Sequence, residues 1–244
     1  MTGLSRKRGS SGNPSPYTAR GCVVGLRAAA QEAFGSASLS GMRIAIQGTG
    51  AVGGALARLL AKEGARLLLA DIDAARVRAV AVETGGKVVS DEEIFRTECE
   101  IFAPCALGGI LNDGNIPRLR CRIVGGAANN QLLDETRHDR ALADRGILYV
   151  PDYVINAGGI INVACELLPG GYREQESLRR IDRIASHLRE VFAIAREEGI
   201  TTRAAADRLA ERRLSEKKRG QATFPKMGSG TFSPEPEKVP DPKK

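Results

Sequence analysis

Gly48, Gly50 and Gly53 form G-x-G-x-x-G within AIQGTGAVGG, between an apolar run and a stretch of helical periodicity. There the first glycine permits a tight turn, the second lets backbone approach a pyrophosphate, and the third lets helix and strand pack closely. Thr49, Ala51, Val52 and Gly54 complete the loop, whose N–H groups at a helix N-terminus favour phosphate. Asp71 closes the next apolar run, where a carboxylate would accept from ribose hydroxyls and repel a 2′-phosphate. The combination predicts a dinucleotide site that prefers NAD to NADP. A methyltransferase taking S-adenosylmethionine also pairs a glycine loop with a ribose acid, and competes with this reading.

Other reactive residues point nowhere as specific. Cys22, Cys99, Cys105, Cys121 and Cys165 are odd in number and contain no C-x-x-C pair, so they read as reduced thiols rather than a disulfide framework or metal site. His138 and His187 lie in charge-rich helical sequence and are expected at solvated positions. Residues 21–214 hold only two lysines, Lys62 and Lys87. Lys62 falls near a helix end and reads as solvated. Lys87, in TGGKVVS, sits in a helix-to-strand turn and reads as a surface residue. A phosphate loop G-x-x-x-x-G-K-[ST] fails there, because residue 81 is Ala and residue 88 is Val.

The elements that must position these groups alternate along the chain. Ser15-Pro16 starts a helix that Gly35 stops. MRIAIQ, ARLLLAD, KVVS, CEIFAP, CRIVGG and GILYVPD read as short strands. Helices AVGGALARLLAKEG, DAARVRAVAVETG and DETRHDRALADRG fall between them, and Ser90 with Glu93 predicts a capping box over a short helix. Such alternation predicts an α/β fold, a Rossmann-like doubly wound sheet followed by C-terminal helices. From residue 172 the pattern is helical, with Leu178, Ile181, Ile184, Leu188 and Val191 on one face. The last stretch, 215–244, has five of the eleven prolines and is expected to be disordered.

The net charge of +7 belongs to the ends: residues 1–20 carry +4 and residues 215–244 carry +3, leaving 21–214 neutral. A basic face for nucleic acid is therefore not expected. No apolar run reaches the ~20 residues of a membrane span, and the N-terminal stretch has no apolar segment behind its charges. A cytoplasmic protein without membrane partners is expected.

Longer motifs carry a resemblance. SSGNPSPYTARG, FAPCALGGILN, GGAANNQL and PDYVINAGGIINVACEL resemble, in order and spacing, the leucine, phenylalanine and valine dehydrogenases of the glutamate dehydrogenase superfamily. The resemblance implies NAD-dependent oxidative deamination of an L-amino acid to its 2-oxo acid and ammonia. It implies that Thr18 and Asn130 contact the nicotinamide end and that Ala103, Pro104, Cys105 and Ala106 form a loop against the cofactor. It also implies that Asn156 lies between cofactor and substrate, and that Ile160 and Val163 line the substrate pocket. Read without the family, Thr18 is an ordinary first-turn residue, Asn130 and Asn156 are helix caps, and Ile160 and Val163 are core.

The family's catalytic lysines belong to a separate N-terminal domain. Residues 1–20 then read as an inter-domain linker, 21–171 as the NAD-binding domain and 172–214 as helices that pack back on the other domain. An apolar face on 172–214 is accordingly expected to be exposed. The chain is expected to be inactive alone; the alternative is a stand-alone NAD-binding or regulatory module. A homo-oligomer is compatible with the family, which assembles largely through the other domain.

Overall fold

The computed structural model describes residues 10–222, with side chains through residue 216. Contacts divide the chain into a unit ending at Leu209 and a second beginning at Ala210. Within the first unit six parallel strands run in the order β3-β2-β1-β4-β5-β6. They are β1 Arg43–Gln47, β2 Arg66–Ala70, β3 Lys87–Val88, β4 Ile101–Pro104, β5 Ile123–Val124 and β6 Leu148–Tyr149. This is the doubly wound order, and its reversal between β1 and β4 opens a crevice at the carboxyl ends of those strands.

The strands form where short apolar runs can be buried on both faces: Ile44, Ala45, Ile46, Ile101 and Phe102 are all enclosed. α2 (Ala51–Lys62) and α3 (Ala74–Thr84) follow β1 and β2, and α4 (Glu135–Asp144) leads into β6. Asp73 caps α3 by accepting from the amides of Ala75 and Arg76, and Asp134 caps α4 through Thr136 and Arg137. Around Ser90 the expected capping box is realised as one hydrogen bond, from the Glu93 amide to Ser90 Oγ, over a single 3-10 turn. After β6 come α5 (Asp152–Ile155) and α6 (Gly158–Ala164), then α7 (Glu174–Asp182), α8 (Ile184–Glu198) and α9 (Thr202–Ala222).

α1 (Ser15–Phe34) begins inside the stretch expected to be linker, and its face of small and apolar residues packs on α2, α6, α7 and α8. Two close approaches fix that packing. A Cβ on Gly25 would fall 2.5 Å from Ile155 and 3.1 Å from Leu188, and one on Gly21 would fall 3.2 Å from the Gly158 amide.

Three expectations are corrected. The apolar face of 172–214 is not left bare: Ile181, Ile184, Leu188, Val191 and Phe192 are buried in the same core as α1. α1 supplies the apolar surface they need. The stretch 215–244 is not irregular throughout, since α9 continues to Ala222; residues 223–244 lie outside those described, as do residues 1–9. His138 is not solvated but buried, with Nδ1 accepting the Asp134 amide at 2.9 Å and Nε2 facing Asp113 at 3.3 Å. Its neighbour Arg137 pairs with the same Asp113, and Asp139 is buried as well, so a charge-rich stretch of sequence does not by itself mark a solvated face. Lys62 and Lys87 are both exposed. Among the described residues no helix is long and apolar enough to cross a membrane.

Candidate functional site

The glycine loop turns from β1 into α2, with Gly48 at φ +96° and Gly50 as the cap. Gly48 and Gly53 are required by packing: a Cβ on Gly53 would meet Gly48 O at 2.0 Å, and one on Gly48 would meet Ala106 at 2.8 Å. Gly50 differs, for a Cβ there would meet nothing within 4 Å. The backbone at that point is open, as the approach of a bulky anion requires. Thr49 is buried, Ala51 is exposed, Val52 reaches the cleft described below, and Gly54 is buried in α2.

Asp71 lies just past β2, where the chain turns towards α3. Its Oδ2 accepts from the Thr49 amide at 2.6 Å and the Thr49 hydroxyl at 3.0 Å, and its Oδ1 from the Asp73 amide at 2.9 Å. Burial pushes this carboxyl up, but the amides of Asp73 and Thr49, the Thr49 hydroxyl and the Arg76 guanidinium outweigh it. They hold Asp71 below the usual carboxylate value. Asp71 thus clasps the glycine loop to the end of β2.

From the other side of the switch point, Ala103 and Pro104 end β4 as buried residues, and Cys105 and Ala106 pass against the loop. Burial raises the Cys105 thiol to about 12. It stays protonated near neutrality and is no nucleophile.

A cleft of about 840 Å³ gathers Thr18, Val52, Asn130, Asn156, Ile160 and Val163, residues spread over 146 positions in sequence. Thr18 stands in the first turn of α1, with its hydroxyl donating to Pro14 O at 3.3 Å. Gly159 allows that contact, because a Cβ there would sit 2.4 Å from Thr18 Oγ1. Asn130 caps no helix: it holds φ +50° in the loop after β5, a region costly for a residue with a side chain. Asn156 ends α5 and donates to Asn129 Oδ1 at 2.6 Å and Ala127 O at 3.4 Å. Ile160 is 72% exposed and Val163 partly buried, so neither is core in this chain.

Sequence reading missed the groups that make this cleft rigid. The loop 126–131 is closed by Gln131, whose Nε2 donates to the carbonyls of Gly126 and Ala128, both at 3.0 Å. Asp152, nearly buried, accepts the Gln131 amide at 2.9 Å and the Tyr153 amide at 2.7 Å. An acid three residues past β6, beyond a carboxyl strand end, was the available signal. Glu135 and Arg203 also line the cleft and pair with one another. Arg203, in α9, had no signal in sequence at all.

Chemically, the crevice offers open backbone for phosphates, a carboxylate at the end of β2, and an amide-rich cleft beside apolar side chains. No lysine is among the residues lining the cleft. Among the described residues no cluster of His, Cys, Asp and Glu is suited to a metal ion.

Comparison with known proteins agrees with this arrangement. A family model described as Glutamate/Leucine/Phenylalanine/Valine dehydrogenase matches residues 68–221. The leucine dehydrogenase of Geobacillus stearothermophilus is 48% identical over 233 residues, which is 96% of this chain and 63% of that protein. Among solved structures, L-tryptophan dehydrogenase from Nostoc punctiforme matches with a TM-score of 0.82 at 46% identity, over 85% of this chain and 63% of that one. The hetero-hexameric glutamate dehydrogenase from Thermus thermophilus, in a Leu-bound form, matches with a TM-score of 0.71 at 26% identity, over 92% and 57%. The chain spans under two-thirds of the length of each. With a matching family model and a six-stranded sheet in dinucleotide-binding order, the chain belongs to the glutamate/leucine/phenylalanine/valine dehydrogenase family.

Proposed function

We propose that this chain is the NAD-binding portion of a cytoplasmic dehydrogenase that oxidatively deaminates an L-amino acid of the leucine, valine or phenylalanine type to the 2-oxo acid and ammonia. The observation that carries it is the open backbone at Gly50 beside a cleft holding Thr18, Asn130 and Asn156. The loop 48–54 would hold the pyrophosphate and Asp71 would face the adenosine ribose. Ala103, Pro104, Cys105 and Ala106 would flank the nicotinamide side, with Thr18 and Asn130 at its amide. When bound, the nicotinamide supplies the hydride acceptor. Asn156 orients the substrate, while Ile160 and Val163 receive its side chain. The name of the Thermus relative, hetero-hexameric, supports assembly with further subunits as part of the same proposal.

Alone, the chain is expected to bind but not to turn over. General acid–base catalysis typically contributes ~10²–10⁴-fold, and the cleft holds no lysine, while its carboxylates Asp152 and Glu135 are engaged by the Gln131 and Tyr153 amides and by Arg203. Calorimetry with NADH should show binding at or below millimolar concentration; no binding would remove the cofactor assignment. NADH formation from leucine, valine or phenylalanine at alkaline pH should stay at background. It should appear when the N-terminal domain of a related enzyme is fused or supplied. The same missing base favours a second reading, a stand-alone NAD-binding or regulatory module. Binding without rescue by any such domain would support it.

A further inference from the structure

Asp71 is the residue expected to reject a 2′-phosphate, yet its side chain is only 5% exposed and both oxygens are engaged by Thr49 and Asp73. Beside it stands Arg76, in the first turn of α3. Its Nη1 lies 3.4 and 3.5 Å from the two Asp71 oxygens, and its Nη2 donates to Asp73 Oδ2 at 2.9 Å. Asp73 fixes this start of the helix by capping the Arg76 amide. The Arg76 side chain is about half exposed, at 48%. The adjoining hollow, about 440 Å³, is lined by Asp71, Arg78, Asp91 and Glu93 among others.

We propose that Arg76 is a specificity-determining residue that limits how strongly this chain discriminates against NADP. The inference rests on the dinucleotide reading above and concerns the ribose end of that site. Asp73, Asp91 and Glu93 add negative charge nearby, so NAD remains preferred. The charge on Asp71 itself is offset by the Thr49 and Asp73 amides and by Arg76. A 2′-phosphate at this ribose would meet an exposed guanidinium that can leave Asp73 and form a charge-assisted pair with phosphate. Arg78, unlike Arg76, lines the hollow itself, and serves as the control for charge alone.

The test is calorimetric titration of the whole chain with NADH and with NADPH, for the wild type and for Arg76→Gln, Arg78→Gln, Asp71→Ser and the double variant Asp71→Ser/Arg76→Gln. Arg76→Gln should weaken NADPH by about tenfold or more, the loss of a hydrogen bond between charged groups. It should leave NADH within about twofold, as for a surface change. Asp71→Ser should strengthen NADPH, and that gain should vanish in the double variant. Equal effects of Arg76→Gln on both cofactors would overturn the proposal. So would an equal effect of Arg78→Gln, or an undiminished gain in the double variant. Failure of the wild type to bind NADH at all would sink the dinucleotide reading, and this inference with it.

Discussion

Gly50 and Gly53 are alike in sequence and opposite in consequence. A Cβ at Gly50 meets open space, so Gly50→Val should lower the melting temperature less than Gly53→Ala does, while abolishing NADH binding through the blocked phosphate approach. At Gly53 a Cβ would fall 2.0 Å from a carbonyl oxygen, so Gly53→Ala should lower the melting temperature before any ligand is added. Thermal denaturation followed by calorimetry separates the two, and equal loss of stability in both variants would contradict the assignment. Asp71 adds a pH dependence. Its carboxyl is held below the ordinary 3.8, so the stability it contributes is fully present above that pH and is lost as pH falls through the depressed value. The wild type should therefore lose stability more steeply than Asp71→Asn below about pH 4. His138 makes a different test: His138→Ala removes the buried acceptor of the Asp134 amide, a hydrogen bond worth about 0.5–1.5 kcal/mol, while NADH affinity stays the same because His138 is not in the cleft.

Among the elements, α1 and α8 make the pairing on which the C-terminal helices depend. Leu188→Ala should cost ~2–5 kcal/mol, as for other buried leucines. Gly25→Val should destabilise comparably by driving α1 away from Ile155 and Leu188. Urea denaturation reads both, and a change under about 0.5 kcal/mol, the scale of an exposed position, would mean the helices do not pack as described. The strands were legible in sequence because Arg43–Gln47, Arg66–Ala70 and Ile101–Pro104 are short apolar runs that only a parallel sheet buries on both faces. The partner of α7 and α8 was not. Their periodicity reveals an apolar stripe but not what covers it, and α1 lies far away in sequence.

For the molecule as a whole, the same distinction explains which parts of the cleft could be read. Gly48, Gly50, Gly53 and Asp71 form a local pattern with its own physical logic. Thr18, Asn130 and Asn156 were reachable only through resemblance, since each alone has an ordinary structural reading. Asp152 carried a local signal, its place past the end of β6, that was not used; Arg203 was missed because its place depends on how α9 meets the loop after β5, a relation no local pattern encodes. The burial of α1 carries a temporal consequence. α1 and α8 are separated by about 150 residues, and at ~5–20 residues per second synthesis takes roughly 8 to 30 s to span that distance. α2 emerges early and covers one side of α1, but throughout that interval the side that packs on α8 waits on the ribosome for its cover. A chaperone that shelters it until Leu188 and Val191 emerge would raise the yield of folded chain without touching its final stability.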